Sequence, residues 1–429
     1  MDPSPHKYSL LPAVPAQVIP RYKPNDIITL SLPIPRGINA NRQMRGSYLS
    51  FILEGYESHR VNKFFRPPAI SMRGFLRIQM KRSHGIIGFM YLAAKVFEAL
   101  AGKQEVAIQS CSQWVTRYSK HVMNPDEPLN PYPSIQEIED RLGGLIELAF
   151  LQFIVLGTAA GYTTLRLALP TFLRLVSDDP NLCVEQKHNG LLCISLPGVL
   201  SSSRVDIRRF VFHDIMYSLV LGLPTLADYD SAGFPIVPGS NNSIDWVHGV
   251  QGVPVEMIVN IAEVHNWRNQ AKGADWRVLE MRSLVWMWNQ SDVQSDESVQ
   301  MVYRVAIQEA WRHATLIYIY MGVCGVNSHD ARVQASVHQI VKLMRAVGDT
   351  HLDVHFSIPS VIAGLAARFE PQRALILQKL KTFDGLRLWI LRGRDFACIL
   401  EQLWHGAAVD GAAVGWDEYV QARCEVLPI

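Results

Sequence analysis

Apolar residues recur at steps of three and four positions along most of the chain after residue 46. Such spacing places them on one side of an α-helix, so the pattern predicts a succession of amphipathic helices. The predicted helices cover approximately residues 47–60, 71–82, 86–100, 104–120, 134–156, 205–222, 254–270, 275–290, 298–322, 330–347, 394–406 and 416–424, with further helices starting at Thr158 (kinked at Pro170), after Pro359 and after Pro371.

Two of these helices carry additional signals. Ser134 and Glu137 form a capping box, in which each side chain bonds the backbone N–H of the other residue and starts the helix. Residues 298–322 are apolar nearly all round, which is typical of a central buried helix.

Prolines and glycines mark the segments that are not helical. Eight prolines within residues 1–45 remove backbone donors, which predicts an extended arm, either a disordered leader or a strap across the domain. The dipeptide Asn189-Gly190 favours a hairpin turn, so a small two-stranded flap is predicted near residues 183–196. A long loop is predicted over residues 224–252.

The pattern as a whole predicts an all-α fold in two parts, the arm of residues 1–45 and a helical body of residues 46–429. Antiparallel helix pairs joined by short loops are the natural packing for such a large array. A helical-repeat array without recognisable sequence repeats is the alternative.

Composition agrees with a folded helical protein. Apolar residues make up 48% of the 429 residues and charged residues 19%, so a sizeable core is expected, with some apolar surface serving as an interface. The net charge is +2, but residues 1–82 carry thirteen Lys and Arg against four acidic residues. This asymmetry indicates either contact with a polyanion or an acidic partner, or a solvated face balanced by acidic helices elsewhere.

Neither export nor membrane insertion is indicated. The start MDPSPHKYSLLPAVP lacks the apolar run of a secretory signal, and the apolar stretch 148–162 is too short to span a bilayer. Cys183 and Cys193 are close enough in sequence to bridge a loop, but we expect reduced and mostly buried thiols. The six cysteines form no CxxC pair and are Cys111, Cys183, Cys193, Cys324, Cys398 and Cys424.

Motifs for phosphate binding, nucleophilic catalysis and zinc hydrolysis are missing from the sequence, so we predict no catalytic, cofactor-binding or metal-binding residues and no enzyme. His351, Asp353 and His355 alternate and would share one side of a strand, but their helical surroundings disfavour a metal site. His213 and Asp214 lie on an apolar helix, where a hydrogen-bonded core histidine is expected rather than a catalytic dyad.

Two further patterns each have a functional and a structural interpretation. Arg73, Arg77 and Lys81 recur every four residues, with Arg82 beside them, and either meet phosphates or are simply solvated, which is the commoner case. Tryptophans crowd the middle third, where they either line a small-molecule pocket or, more commonly, fill a helix-packed core. They are Trp246, Trp267, Trp276, Trp286, Trp288 and Trp311.

Several segments resemble the fungal-specific transcription factor domain. RRFVFHDIMYSLVLGLPTLADYD (208–230) is similar to the signature helix and loop of that family, and VPVEMIVNIAEVHNWR (253–268) to its next helix. EAWRHATLIYIYMGVCGVNSHDARVQ (309–334) resembles its most characteristic helix. IPSVIAGLAARFEPQR (358–373) and DFACILEQLWHGAAVDGAAVGWDEYV (395–420) resemble its closing segments.

The resemblance covers about residues 45–429 and implies an all-helical regulatory region of a nuclear transcription regulator, without catalytic residues. In that family the region usually follows a binuclear zinc-cluster DNA-binding module, which needs six closely spaced cysteines. This sequence has no cysteine before Cys111.

We therefore expect a transcription-regulator domain without its own zinc cluster, acting through protein contacts, with a small-molecule effector as a further option. Its expected partners are a second copy or zinc-cluster regulators, and DNA binding is expected to be indirect. Two other functions fit the same sequence. One is a scaffold or decoy that dimerises with full-length regulators. The other is an all-helical enzyme with an unrecognised pocket, which requires convergent acid, base or metal groups.

Overall fold

The computed structural model describes residues 42–66, 73–74, 76–77, 80, 84–103, 105–123, 133–185, 192–234, 249–270, 275–286 and 298–429. Helix predominates among them, which confirms the predicted all-α fold. The helices are α1 (Arg42–His59), α2 (His84–Gly102), α3 (Glu105–Met123), α4 (Ile135–Val155), α5 (Thr158–Ser177), α6 (Leu196–Ser201), α7 (Val205–Leu221), α8 (Val255–Gln270), α9 (Trp276–Val285), α10 (Ser298–Gly322), α11 (Ala331–Val347), α12 (Ser357–Ala366), α13 (Glu370–Thr382), α14 (Gly393–His405) and α15 (Trp416–Val426).

Helix starts and ends follow the local signals in most places. The capping box of Ser134 and Glu137 starts α4 as predicted, and Gly222 ends α7 in the left-handed conformation with φ of 63°. The helix α5 runs without a break through Pro170. The helix α1 begins five residues before the predicted start at residue 47. Most of the predicted arm of residues 1–45 lies outside the described residues.

The predicted flap near residues 183–196 is present as β1 (Cys183–Glu185) paired antiparallel with β2 (Leu192–Ser195). The turn at Asn189-Gly190 lies outside the described residues. A third strand, β3 (Tyr229–Asp230), pairs in parallel with β2, within a stretch that the sequence predicted as loop. Two-residue pairing between distant segments leaves no periodic pattern, so the sequence could not indicate it.

All six cysteines are free thiols. The register places Cys183 opposite Ile194 and Cys193 opposite Val184, so the two cysteine side chains point to opposite faces of the flap and cannot bridge it. Only Cys111 and Cys193 are buried, whereas Cys398 and Cys424 are exposed. The expectation that the thiols are mostly buried is therefore wrong.

One apolar core connects the helices, with buried residues from Ile52 in α1 to Ala422 in α15. The helices α4 and α5 pack along each other across the short turn at Gly157, and α10 packs along α11. The helix α10 is buried over most of its length and also contacts α8, α9 and α12, as its all-round apolar sequence predicts. None of the described helices combines the length and apolar character needed to cross a bilayer.

Candidate functional site

A buried ion cluster, made of Tyr56, Arg60, Glu147 and Arg209, lies where α1, α4 and α7 meet. Tyr56 Oη donates to Glu147 Oε1 at 2.6 Å, and Arg209 Nη2 donates to Glu147 Oε2 at 3.1 Å. Burial opposes ionisation of Glu147, but the charges of Arg60 and Arg209 outweigh it and lower its pKa. One carboxylate therefore holds three helices together.

Arg60 occupies an unusual position in this cluster. Its Cζ lies 3.6 Å from the centroid of the Phe150 ring and 5.2 Å from that of Trp389, so the guanidinium is in cation–π contact with both. Burial lowers the pKa of Arg60, although the nearby Glu147 partly offsets this effect. Arg60 Nη1 is buried and has no hydrogen-bond partner among the described residues.

A cavity of about 10 Å³ adjoins the cluster, which is about the least volume that holds one water. His213 is one of the residues that line it. His213 Nδ1 lies 2.6 Å from the Arg209 carbonyl oxygen, so Nδ1 carries the proton and Nε2 is left as an acceptor. Burial lowers the pKa of His213 to about 4, so the ring is neutral. The lining residues are Ile146, Ala149, Phe150, Phe153, Leu165, His213, Tyr217 and Ile390.

Asp214, the neighbour of His213, has a different role. Its carboxylate accepts from the Leu226 amide at 2.8 Å, the Ala227 amide at 3.3 Å and Tyr229 Oη at 2.7 Å. Burial raises the pKa of Asp214 to about 7. The two adjacent residues thus bond to different groups.

The HLDVH segment forms a 3₁₀ turn rather than a strand (His351–Phe356). Asp353 Oδ2 accepts from Lys379 Nζ and from Arg387 Nη2, each at 2.6 Å. His355 contacts backbone carbonyl oxygens through both ring nitrogens. No group of three or more His, Cys, Asp or Glu side chains in the described part of the chain could hold a metal. The segment therefore anchors neighbouring turns.

The basic stripe is described only in part. Arg73 Nε pairs with Glu57 Oε1 at 2.6 Å, and Arg77 is exposed. Lys81 and Arg82 lie outside the described residues. The pairing of Arg73 with α1 favours the interpretation of a solvated face.

The tryptophans split between core and half-buried positions. Trp311 is fully buried in α10, while Trp267, Trp276 and Trp286 are half-buried and pack against the core. No tryptophan lines the small cavity described above. Trp246 and Trp288 lie outside the described residues.

The helix α9 carries an apolar face that the sequence analysis missed. Val278, Met281, Leu284 and Val285 are 52%, 59%, 49% and 62% exposed, and we call them the α9 face. These positions recur at steps of three and four, which would equally well predict a buried stripe. Leu279 of the same helix is buried.

Polar contacts explain why α9 is turned this way. Asn260 Nδ2 in α8 donates to Ser283 Oγ at 2.8 Å, and Arg282 Nη1 donates to Glu263 at 2.9 Å. The inward side of α9 is therefore fixed to α8 by hydrogen bonds, with Leu279 as its buried apolar contact. Trp276 packs against the core, and the four residues of the α9 face point outward.

The α9 face has a basic rim. Arg277 and Arg332 each place their guanidinium within 6 Å of the Trp276 ring, at 5.5 and 5.7 Å from its centroid. Arg277 is exposed, and the Arg332 side chain is 40% exposed and pairs with Asp330 at 3.0 Å. An apolar strip with cations along its edge complements a partner that is apolar with acidic flanks.

Comparison with known proteins identifies the class of this helical body. Residues 201–427 match the fungal specific transcription factor domain, which is more than half of the chain. The chain belongs to this family. All five segments that resembled the fungal specific transcription factor domain lie almost wholly inside the matched residues, as does the α9 face. Tyr56, Arg60 and Glu147 of the buried ion cluster lie outside them.

A curated relative agrees with this assignment. The chain is 24% identical over 207 residues to transcription factor dibT of Pestalotiopsis microspora, an alignment that covers 40% of this chain and 33% of the relative. The chain thus spans about a third of the length of this relative. No solved structure matches significantly. Membership of the fungal transcription factor family indicates transcription regulation and a non-enzymatic regulator, and such regulators generally act in the nucleus.

Proposed function

We propose that this chain is a regulatory domain that acts in the nucleus through protein contacts, and that the α9 face is its docking surface. The family match over residues 201–427 is the observation that supports a role in transcription regulation. The α9 face supports the contact, because exposed apolar strips of this kind mark interaction sites.

The proposed partner presents an amphipathic helix with acidic flanks. The positions Val278, Met281 and Val285 are spaced by three and four residues, so they form a strip along one side of α9 against which an apolar helix face packs. The exposed cation of Arg277 at the edge favours acidic residues beside that strip, whereas Arg332 next to it is paired with Asp330. This proposal assigns DNA contact to the partner.

A tethering experiment tests both parts of the proposal. The full chain is fused to a heterologous DNA-binding domain, and expression from a reporter that carries its binding site is measured. We expect the wild-type fusion to change expression and the double variant V278D/M281D to lose the effect, because two carboxylates on the strip exclude an acidic partner.

Leu167→Asp provides the matched control, since Leu167 is 51% exposed and lies on α5. This variant should behave as wild type, and circular dichroism of all three proteins checks that they are folded. A silent wild-type fusion would contradict the regulatory function. An active wild type with an equally active V278D/M281D would remove the α9 face from the proposal and leave the regulatory function standing.

A further inference from the structure

Four residues with hydrogen-bond donors lie in or beside two adjoining turns of the chain: Arg60, Lys63, Arg387 and Trp389. Arg60 Cζ lies 5.2 Å from the centroid of the Trp389 ring. Lys63 Nζ donates to the carbonyl oxygen of Leu386, the residue before Arg387. Two 3₁₀ turns, Val61–Lys63 and Gly385–Arg387, hold these residues next to one another. We call these four residues the donor cluster.

Three N–H groups of the cluster lack a hydrogen-bond acceptor among the described residues. Arg60 Nη1, Arg387 Nε and Trp389 Nε1 are buried and have no hydrogen-bond partner among the described residues. Buried polar groups in folded proteins are nearly always bonded, and an unbonded one is destabilising. Since all three are N–H groups, the missing partner is an acceptor.

The cluster also has more positive charge than its carboxylates neutralise. Glu147 near Arg60 is already bonded by Tyr56 and Arg209. Asp353 is shared between Arg387 and Lys379. The Lys63 ammonium donates to two carbonyl oxygens, those of His59 and Leu386.

The effect on Lys63 is large. Burial, followed by repulsion from Arg60 and Arg387, lowers the pKa of Lys63 to about 7. A negative charge placed among these three cations would relieve the repulsion and raise this pKa again.

One residue of the cluster extends to solvent. The Arg387 side chain is 42% exposed although its Nε is buried, so this residue extends from the cluster to the surface. The Phe64 ring, 6.0 Å from the Trp389 ring centroid to centroid, forms an apolar wall beside it. A site with several donors, an apolar wall and an arginine that extends to solvent suits a small ligand with an anionic end.

We propose that the donor cluster binds the oxyanion group of a small molecule, a carboxylate or a phosphate. The oxyanion accepts from Trp389 Nε1, Arg60 Nη1 and Arg387 Nε and faces the Lys63 ammonium. Binding ties the turn after α1 to the segment before α14, and so joins the part of the chain outside the family match to the part inside it. This site goes beyond the proposed function and does not depend on it, because binding is measured on the chain alone.

Titration calorimetry of the full chain with inorganic phosphate, sulfate, acetate and succinate, at constant chloride and neutral pH, tests the proposal. We expect one saturable site for at least one probe, and the series shows whether phosphate-like or carboxylate anions are preferred. Trp389→Phe keeps an aromatic side chain, although a smaller one, and removes Nε1, and should weaken binding about tenfold. Lys63→Met should weaken it further.

Both variants should fold, because neither removed group has an acidic partner, and thermal melts without anion check this. Lys381→Met is the matched control, since this lysine is exposed and pairs with Glu401 at 3.2 Å. It should bind as wild type. Absence of saturable binding by every probe, or equal binding by wild type and both cluster variants, would overturn the proposal.

Discussion

Tyr229 Oη donates a 2.7 Å hydrogen bond to Asp214 Oδ2, which fastens strand β3 to the middle of α7. The same carboxylate accepts from the amides of Leu226 and Ala227, so it binds three groups of the segment that leaves α7. Asn266 Nδ2 in α8 in turn donates to the Tyr229 carbonyl oxygen at 2.7 Å. Asp214 thereby sets the path of the chain between two helices of the family domain.

Replacing Asp214 with alanine should therefore destabilise the protein strongly. Asp214→Ala leaves two buried amides and one buried hydroxyl without an acceptor, so we expect the free energy of unfolding to fall by about 3 kcal/mol. Urea denaturation followed by circular dichroism measures this. Tyr229→Phe removes only one donor and should lower it by about 1 kcal/mol.

Asp178→Ala is the control, because Asp178 is exposed at the end of α5. Its effect should stay within about 0.5 kcal/mol. If Asp214→Ala and Asp178→Ala unfold at the same urea concentration, Asp214 does not anchor this segment.

Local signals predicted the fold well because they act over a few residues. The capping box at Ser134, the stop at Gly222 and the buried helix 298–322 each depend on neighbours one or two turns away. The flap at 183–196 was found for the same reason, through a turn dipeptide.

Long-range polar pairing was beyond the reach of the sequence. Tyr56 and Glu147 are 91 positions apart, and nothing in either helix pattern indicates that they meet. The orientation of α9 depends on a hydrogen bond from Asn260 in α8. The sequence does not reveal this bond, so the spacing of the apolar residues in α9 could equally indicate a buried face. In the HLDVH segment, Asp353 was expected only as a doubtful metal ligand, and its actual partners are Lys379 and Arg387. Helix type and length are local properties, whereas the direction in which a helix turns its faces is set by the whole packing.

The buried ion cluster should be sensitive to loss of its carboxylate. Glu147→Ala leaves Arg60 without its counter-charge and Arg209 with Asp206 alone, so we expect the free energy of unfolding to fall by about 3 kcal/mol. Tyr56→Phe removes a single hydrogen bond at 2.6 Å and should lower it by about 1 kcal/mol. Guanidinium denaturation of purified variants measures both.

Glu98→Ala is a suitable comparison, since Glu98 pairs with Lys95 at the surface and its side chain is 59% exposed. Such a pair contributes about 0–1 kcal/mol. Equal stabilities for Glu147→Ala and Glu98→Ala would show that Glu147 does not hold α1, α4 and α7 together.

Acid should destabilise the folded state before its carboxylates are protonated. Burial lowers the pKa of four histidines to about 4, against an unfolded value of about 6.5. The unfolded chain therefore binds more protons between these values, and stability falls as pH drops from about 6.5 to about 4. The four histidines are His213, His265, His313 and His355.

Two carboxyl groups act in the opposite direction. Burial raises the pKa of Asp214 to about 7 and raises that of Glu256, so each contributes stability that is present at low pH and lost as pH rises through its folded pKa. Because the four histidines outnumber these two carboxyl groups, the net free energy of unfolding should still fall as the pH drops from about 6.5 to about 4.

Denaturation series at several pH values check the sign and the slope. His265→Gln should reduce the slope by about one proton, equivalent to about 1.4 kcal/mol per pH unit at most, because His265 is buried between α7 and α10. A slope unchanged in His265→Gln would mean that this ring is protonated equally in both states.

The contact between α13 and α14 depends on a missing side chain at Gly393. A Cβ there would lie 2.0 Å from the Leu380 carbonyl oxygen, and Gly393 N donates to the Phe383 carbonyl oxygen at 2.8 Å. Because the clash is with backbone, no side-chain rotation relieves it, and Gly393→Ala should lower the free energy of unfolding by about 3 kcal/mol. Gly102→Ala in α2 meets nothing within 4 Å and should be neutral or stabilising by up to about 1 kcal/mol. In thermal melts, the melting temperature should fall for Gly393→Ala and should stay the same or rise for Gly102→Ala. A Gly393→Ala protein as stable as wild type would show that these two helices can move apart without loss of stability.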